Sequence, residues 1–508
     1  MKFKSIKKWG LRVLTILITI SIISCIGVKS QVKQHLGEKT YLVDPSIFNV
    51  DSSAIAIANV NVLSTDCTEM LDNLNVLIKN KKIIQISKEI NIPNEYKIID
   101  GTGKYLIPGL VDTHAHLHRS KNDLLLYLAN GITHISEMFG TEKHLKWRKE
   151  AENGSLSPKI YVASRKLSSK KGLMPKIRSW FGSSPNYTTK NNARKAIIKF
   201  KEQGYDAIKL SSFLNAEIYY ALTDEAKKQD IPTLGHLTYP VGLKGLYISG
   251  QSQLAHIEEI TKATMHDFGG MDSSNTEEYL TYLKNNANDI AIKLKEVDMV
   301  VSSTVWIIES IPKQNFDIEN FLKTIELEYQ NPGEVEGSRL AKGWLPSNNS
   351  YENMDIKNDS ELIKKHKLFW KTYVEAIHIM AKALVKHNVT IITGTDSNTA
   401  GVVAGFSLHD EFESLYKCGM TNSQILYAAT VAPAQWMKSD AGKIEVGHRA
   451  DLVLLTKNPL DDIKNTRTIN AVISNGKLLD RKVLDEILQS IKDANNKSRK
   501  VSIDRFIN

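Results

Sequence analysis

Apolar and polar residues alternate with a short period near both ends of the chain. After residue 53 the alternation begins at Ala54, and Asn, Asp and Lys interrupt it at intervals. Short apolar runs broken in this way predict β-strands. The same pattern returns after Ala441, where Asn475-Gly476 marks a tight turn between two such runs. The predicted strands include residues 54–63, 74–78, 82–86, 452–455 and 471–474.

The middle of the chain has a different pattern. From Gly109 onward, short apolar runs such as 131–136 and 207–210 alternate with longer amphipathic stretches such as 191–203. Strands that alternate with helices are typical of a parallel α/β fold. We therefore expect one α/β domain at residues 109–430. The strands at the two chain ends, residues 54–108 and 431–482, are then expected to form one small composite β-domain.

Three segments do not fit either pattern. Residues 307–370 are rich in Asn, Glu, Lys and aromatic residues, which favours an insertion among the loops of the α/β domain. Residues 26–53 lack periodicity and are expected to form a linker. Residues 483–508 predict a charged terminal helix followed by a frayed tail.

The first 25 residues carry an export pattern. A basic start is followed by an apolar run from Val13 to Ile23, which is short for a membrane span. Ser24-Cys25 after that run resembles the cleavage site of bacterial lipoproteins, in which the cysteine is acylated. We expect lipidation at Cys25 and an exported protein anchored to a membrane of the bacterial cell envelope. An ordinary signal peptide or anchor helix is the alternative.

Composition narrows the classes of partner and of fold. The net charge of +10 falls by half without the basic residues of the first 24 positions. The remaining excess forms no basic block interleaved with aromatic residues, so we exclude nucleic acid as a partner. Cys67 and Cys418 are the other cysteines. They are too few for a disulfide framework and are expected to be buried packing residues.

An apolar strand ends in the pair His114 and His116. Residues two apart in a strand point to the same side, so both imidazoles could bind one metal ion. Two buried histidines bonded to the backbone explain the pair equally well.

Polar residues also end later apolar runs. Lys209, His236, His256 and Asp396 each stand at the end of a predicted strand. In a (β/α)8 barrel such positions meet at one end of the barrel, where active sites are built. Imidazole and carboxylate donors suit zinc or another divalent first-row ion.

Four motifs together resemble the amidohydrolase superfamily. They are Pro-Gly-Leu-Val-Asp-x-His-x-His, Gly-Thr-Asp-Ser, Gly-x-Ile-x-x-Gly-x-x-Ala-Asp-Leu-Val and Asn-Pro-Leu, at residues 108–116, 394–397, 442–453 and 458–460. The resemblance extends from Ala54 to Leu479. It implies a (β/α)8 TIM barrel with a small β-sandwich formed from both chain ends.

The same resemblance implies a binuclear metal site. His114, His116 and Asp396 would bind one divalent ion, His236 and His256 a second, with zinc the first choice. Lys209 stands where binuclear members carry a lysine whose carbamate bridges the two ions. A lysine that extends from a strand end into solvent is the alternative.

The implied reaction is cleavage of a carbon–nitrogen bond by a metal-bridging hydroxide, with Asp396 as the catalytic acid and base. The chain looks most like the dipeptidase and imidazolonepropionase-like branch, which predicts a small amide, peptide or cyclic amide as substrate. A lactone or ester hydrolase, and a non-catalytic surface binding protein on the same barrel, remain alternatives. The sequence predicts no oligomeric state.

Other residues near the motifs have less defined roles. Superfamily deaminases typically carry glutamate three residues after the fifth-strand histidine, where this chain has Tyr239. That difference counts against deamination, and Tyr239 is a candidate substrate-binding residue or a packing residue. Asp112, His118 and His134 are candidates for positions behind the ligands. Glycine at Gly394 predicts a sharp backbone turn before Asp396, and His409 is expected to be structural.

Overall fold

The computed structural model describes residues 24–51, 54–89, 91–172, 184–352 and 359–507, together with residues 15 and 19. Most of the expected signal segment, residues 1–25, lies outside this part of the chain. Among the helices that are described, none combines the length and apolar character needed to cross a membrane.

One sheet contains strands from both ends of the chain. Its eight strands run in the order β16-β15-β14-β5-β1-β2-β3, with β4 pairing beside β5 on β1. The central β14–β5 pair is antiparallel and joins the two chain ends directly. The prediction of a composite β-domain is therefore confirmed. The strands are β1 (Ile55–Leu63), β2 (Met70–Lys79), β3 (Lys82–Ser87), β4 (Lys97–Asp100), β5 (Tyr105–Pro108), β14 (Leu452–Leu455), β15 (Ile469–Ser474) and β16 (Lys477–Asp480).

The remaining strands form the barrel wall. They are parallel and lie in two sheets, one of three strands and one of five. The first sheet contains β6 (Leu110–Ala115), β7 (Ile132–Glu137) and β8 (Lys159–Val162), and the second contains β9 (Ile208–Leu210), β10 (Thr233–Gly235), β11 (Gln253–Leu254), β12 (Val300–Ser302) and β13 (Thr390–Ile392).

Hydrogen bonds connect the two sheets at both edges. A parallel bridge joins Leu167, just after β8, to Leu210 at the end of β9. On the other side, Thr113 N of β6 donates to Thr393 O at 2.9 Å, one residue after β13. The two sheets are thus joined into one ring, which is the (β/α)8 arrangement expected from the sequence.

Helices cover the barrel and extend its mouth. α1 is described from residue 24 to residue 35. The others are α2 (Asp123–Ala129), α3 (Glu142–Glu152), α4 (Lys190–Glu202), α5 (Ala216–Lys228), α6 (Gly242–Ser249), α7 (Ile257–Phe268), α8 (Thr276–Glu296), α9 (Val305–Leu322), α10 (Pro332–Glu336), α11 (Ser360–Lys386), α12 (Ser407–Lys417), α13 (Asn422–Ala429), α14 (Val431–Trp436) and α15 (Arg481–Ser498).

The predicted insertion consists of long helices and irregular loops between β12 and β13. α9 begins three residues after β12 and is interrupted at Asp317, whose φ of −153° and ψ of 54° are not helical. α11 leads back toward β13. α14, placed by sequence in the β-domain, packs instead against β6 and β13 of the barrel.

The segment expected to be a linker is docked on the barrel. Arg119 N donates to Leu36 O at 2.9 Å, and Thr40 Oγ1 donates to Asn331 Oδ1 at 2.8 Å. A Cβ atom at Gly37 would lie 2.6 Å from Asn331 Nδ2, so glycine lets the backbone approach the Asn331 side chain closely there. Hydrogen bonds rather than an apolar stripe hold residues 36–40, which is why the hydrophobic pattern gave no sign of this packing.

The C-terminal segment is docked as well. The helix predicted there is α15, and its apolar face is buried at Val483, Leu484 and Ile487. Asn495 Nδ2 donates to Glu328 O at 3.0 Å, which attaches the helix to the insertion. Phe506 is 3% exposed. The frayed tail that we expected is therefore packed, because a buried aromatic ring fixes its end.

Candidate metal centre

The histidines of β6 and the aspartate after β13 meet at the mouth of the barrel. His114 Nε2 lies 3.3 Å and His116 Nε2 lies 3.0 Å from Asp396 Oδ1. His256, two residues after the end of the short strand β11, offers a third imidazole. His114, His256 and Asp396 each offer one potential ligand atom, and these three atoms lie within 4.8 Å of one another. These residues have the donor types and spacing that a divalent ion requires.

Lys209 lies inside the same cluster. It stands in the centre of β9 and is 2% exposed. Its Nζ is 3.3 Å from His114 Nε2. The side chain therefore does not extend into solvent, which excludes that alternative.

The remaining predicted ligand, His236, approaches from β10. Its ring centroid is 5.2 Å from that of His256. Gly235, just before it, has a φ of 127°, and a Cβ atom there would lie 2.4 Å from Leu210 O. Only glycine allows β10 to approach β9 this closely while His236 enters the cluster. The structure thus brings together all six side chains that the sequence singled out.

The three innermost imidazoles are oriented through the same ring nitrogen. His114 Nδ1 is 3.2 Å from Ala255 O, and His256 Nδ1 is 2.7 Å from Thr304 Oγ1. His236 Nδ1 is 3.1 Å from Glu259 Oε1. A histidine whose Nδ1 is held by a protein oxygen keeps Nε2 for a metal.

Asp112 supports the cluster from behind. Its carboxylate accepts hydrogen bonds from His114 N at 3.0 Å and from Thr395 N at 3.1 Å. Thr395 Oγ1 also donates to it, at 2.6 Å. Burial raises the pKa of Asp112 to about 7. Asp112 therefore supports the cluster as predicted, by holding the backbone at His114 and at Thr395.

The turn before Asp396 differs from the expectation. Gly394 does not have a positive φ; instead a Cβ atom there would lie 2.8 Å from His114 Cβ. Asp396 itself has a φ of 61°, which is uncommon for a residue other than glycine. Gly394 thus permits close packing against His114. The strained backbone lies at Asp396, whose carboxylate points to the histidines.

Burial and mutual charge set the protonation of these groups. Burial lowers the pKa of Lys209 to about 7, with the cation of Lys166 acting in the same direction. Burial lowers the pKa of His236 to about 4 and holds the pKa values of His114 and His256 well below the usual range. Burial opposes ionisation of Asp396, but His114 and other nearby imidazoles keep its pKa well below normal.

Other candidate residues take structural positions or stand apart. His118 Nδ1 is 3.0 Å from the buried Glu334, behind the cluster. His134 is buried in β7, and burial lowers its pKa to about 4. His409 is 2% exposed and contacts Thr466 Oγ1 at 2.9 Å. Tyr239 is 55% exposed beside β10. Cys67 and Cys418 are free and buried, as expected.

Comparison with known proteins decides the family. The model of the amidohydrolase family matches residues 105–479, which is most of the chain. The chain belongs to the amidohydrolase family. It is accordingly a hydrolase of carbon–nitrogen bonds.

Individual relatives of this amidohydrolase are distant. It is 23% identical to a 5'-deoxyadenosine deaminase of Methanosphaera stadtmanae, over 85% of this chain and 95% of the relative. Among solved structures, bottromycin amidohydrolase has a TM-score of 0.67 at 18% identity and covers 91% of this chain and 96% of its own. A putative prolidase from Bifidobacterium longum has a TM-score of 0.59 at 20% identity, covering 87% and 99%. At these identities the structures support the barrel fold alone.

Sequence reasoning missed the residues that orient the ligands. Glu259 holds His236 and also accepts a hydrogen bond from Leu237 N at 2.9 Å. Thr304 holds His256, with a φ of 50° at the start of α9. Thr304 follows the apolar strand β12, so its place at a strand end was an available signal. Glu259 lies three residues after His256 at the start of a helix, and no pattern pointed to it.

Proposed function

We propose that this amidohydrolase cleaves the carbon–nitrogen bond of a small amide, peptide or cyclic amide, using two divalent ions. The observation that carries the proposal is the common orientation of the imidazoles of His114, His236 and His256. Each is held at Nδ1 by a protein oxygen. A packing histidine has no need to keep its second nitrogen directed at other potential ligands.

Lys209 supports a binuclear arrangement. A pKa near 7 means that a substantial share of the amine is uncharged at neutral pH. An uncharged, buried amine can add carbon dioxide and become an anionic carbamate, which could bridge two cations. Lys209 lies between His114 and His236. Its strand, β9, pairs with β10, which precedes His236, and Lys209 Nζ contacts His114.

The donor set fits two ions, with zinc the first choice among ions that prefer imidazole and carboxylate ligands. When bound, the ions would lower the pKa of a water molecule and polarise the carbonyl of the substrate. His114, His116 and Asp396 would hold one ion, and His236 and His256 the other. Glu259, Thr304 and the carbonyl of Ala255 fix the imidazoles in place.

Asp396 is the proton carrier in this proposal. Its low pKa keeps it ionised, so it can accept the proton of an attacking water and pass it to the departing nitrogen. The result is a carboxylic acid and an amine.

Two other reactions use the same groups. Ester or lactone hydrolysis would follow the same course with an oxygen leaving group. Deamination is favoured by the name of the Methanosphaera relative, but Tyr239 stands where superfamily deaminases typically have glutamate. Tyr239 is exposed, and its ring lies 6.1 Å from that of His266 in the last turn of α7. The lack of that glutamate favours amide cleavage.

The test combines metal analysis with substrate panels. We expect two ions per chain in metal-reconstituted protein, together with faster hydrolysis of amides than of matched esters or aminopurines. Preferential ester cleavage or deamination would replace the amide assignment. Protein without bound divalent ions and without activity on any panel would support a binding protein instead.

We also propose that Cys25 carries a lipid and anchors the enzyme to a membrane of the cell envelope. The basic start, short apolar run and Ser24-Cys25 junction support this, and Cys25 is exposed. Cys25→Ser should move the protein from the membrane fraction to the soluble fraction. Unchanged partitioning would contradict the lipid anchor.

A further inference from the structure

A cavity of about 800 Å³ opens within the insertion. Its apolar lining comes from separate parts of the chain: the loop before α8, the helix α9, the loop before α11, and α11 itself. The side chains concerned are Met271, Ile311, Tyr351, Leu362, Phe369 and Trp370. The cavity has the size of sites that bind whole small molecules and is far larger than one side chain.

One wall of the cavity is attached to the helix that follows His256. Tyr373 Oη donates to Glu258 Oε1 at 2.6 Å, and the ring of Tyr373 stacks on Phe369 with 5.8 Å between centroids. Glu258 is the neighbour of Glu259, which orients His236. The aromatic wall and the histidines are therefore positioned by the same turn of α7.

The opposite wall is attached to the loop that follows Asp396. Gln314, one turn beyond Ile311 in α9, donates to Ala400 O at 2.7 Å. Asn349 Nδ2 donates to Gln314 Oε1 at 3.0 Å, two residues before Tyr351. The cavity walls are thus bonded to the elements that carry His256 and Asp396. Burial raises the pKa of Tyr351 in the lining, and the charges of Asp396 and Glu258 add to that rise, which places the lining near the metal centre.

The lining favours an uncharged aromatic group. Phe369 and Trp370 meet edge to face, with centroids 5.6 Å apart, and both are half-buried. Aromatic rings in this arrangement offer apolar surface for stacking with a further ring. The lysines and acids at the cavity balance each other, Lys342 and Lys365 against Asp272 and Glu352, and His366 is the other titratable residue of the lining. Nothing in that balance selects a net charge on the occupant.

We infer that this cavity is a subsite for a bulky, uncharged aromatic group of the substrate, attached to one side of the bond cleaved at the metal centre. The inference rests on the proposed function for its chemistry. It adds the substrate class: amides with a large aromatic substituent, in preference to those of small aliphatic acids and amines.

The test compares kcat/KM in metal-reconstituted, full-length protein. The substrates are N-acetylalanine, 2-naphthoylalanine and N-acetyl-3-(2-naphthyl)alanine, which place the aromatic group on neither, one or the other side of the amide. We expect one naphthyl substrate to be favoured by at least about tenfold, a factor typical of filling an apolar pocket.

Two variants locate that preference. Trp370→Ala should reduce it about tenfold, and Leu362→Trp, which fills the cavity without removing packing, should reduce it as well. Both should leave N-acetylalanine cleavage within about twofold of the unmodified enzyme. Trp436→Ala is the matched control, because Trp436 is also half-buried but packs on Tyr161 away from the cavity. A preference unchanged in both cavity variants, or absent from the unmodified enzyme, overturns the inference.

Binding in the absence of turnover separates this inference from the proposed function. Metal-free protein is titrated calorimetrically with N-acetyl-3-(2-naphthyl)alanine and with 2-naphthoylalanine. Binding of either ligand that weakens about tenfold in Trp370→Ala supports the subsite even if the loaded protein cleaves no amide, a result that would reject only the proposed function. Equal binding to both proteins overturns the subsite. So does a change of association state in Trp370→Ala with unchanged preference, since the cavity would then hold a second copy of the chain.

Discussion

Buried histidines on two sides of the barrel wall are bonded in different ways. At the mouth, His114, His236 and His256 each have Nδ1 within 3.2 Å of a protein oxygen. Beside the amino end of β7, His409 has both ring nitrogens engaged, with Thr466 Oγ1 at 2.9 Å and a backbone carbonyl at 3.2 Å. The second nitrogen of His114 meets other potential ligands, Asp396 and Lys209, with which it could share an ion. Both nitrogens of His409 meet only a hydroxyl and a backbone carbonyl, so that ring joins neighbouring elements.

The comparison shows that burial alone does not mark a functional histidine. His114, His256 and His409 are all buried, and burial lowers the pKa of each. The pattern of partners separates them. Changes at the mouth should therefore alter metal binding and turnover, and a change at His409 should alter stability.

The largest effect is expected for Lys209→Ala. If the carbamate of Lys209 bridges two ions as proposed, its removal should lower the metal content and reduce activity by about two orders of magnitude or more. Short carboxylic acids should restore part of the activity by occupying the position of the carbamate. Lys159→Ala, at an exposed lysine of β8, is the control and should change nothing. Full activity of Lys209→Ala would show that this lysine takes no part in the reaction.

Asp396→Asn should separate metal binding from proton transfer. The amide has a similar shape and can still coordinate weakly, so the variant should keep at least part of its metal. Turnover should fall by about two orders of magnitude, the size of a general acid–base contribution. Metal content, melting temperature and kcat are measured on one preparation. Reduced stability with normal kcat would instead assign Asp396 to the backbone turn.

Glu259→Gln should weaken metal binding without removing a ligand. The carboxylate that fixes His236 Nδ1 would be lost, and partners of this kind typically contribute a factor of about 10 to 100 in metal affinity. Competition with a chelator measures the change. Glu258→Gln is the matched control because the described contacts of the Glu258 carboxylate are to Tyr373 and Lys262 and to no histidine of the cluster. Equal affinities in the two variants would contradict the role given to Glu259.

The smallest effect is expected for His409, and it concerns stability. Burial lowers the pKa of His409 to about 3 from an ordinary value of 6.5. Between these values the unfolded chain binds a proton that the folded protein does not. Its contribution to stability is therefore present above pH 6.5 and is lost as the pH falls toward 3. From pH 7 to pH 5 the loss is about 2 kcal/mol.

His409→Gln isolates this contribution. It has no titrating group, so its melting temperature should fall less steeply between pH 7 and pH 5 than that of the unmodified protein. Metal content and kcat/KM at pH 7 should be unchanged. Parallel curves for the two proteins would show that His409 does not carry the acid sensitivity.

Much of the fold could be predicted because it depends on local patterns. Apolar runs such as Leu452–Leu455 are buried strands, and polar residues that end such runs meet at the mouth because parallel strands share one direction. Lys209 could be selected because it closes an apolar run, Ile-Lys-Leu, as the other polar candidates close theirs. These inferences need only the order of residues along one strand.

The remainder depends on contacts between distant segments. Residues 36–40 are held by Asn331, almost three hundred positions away, through hydrogen bonds that leave no periodic pattern. Glu259 orients His236 only because the first turn of α7 lies against the end of β10. The cavity is formed by loops and helices. Their packing follows no repeated geometry of the kind that brings the ends of parallel strands together. The sequence therefore identified the candidate ligands and the supporting residue Asp112, but not Glu259, Thr304 or the cavity.

The docked N-terminal segment limits the distance between Cys25 and the barrel mouth. A free coil of residues 26–51 would have a root-mean-square span of about 28 Å. In the folded protein the chain is helical from residue 24 and is bonded to Arg119 by Leu36, so only about 16 Å of helix separates Cys25 from the barrel mouth. If Cys25 is lipidated, the mouth is held at a short, fixed height above the bilayer. Substrates released at or near the membrane surface would then reach it sooner than those arriving from bulk solution.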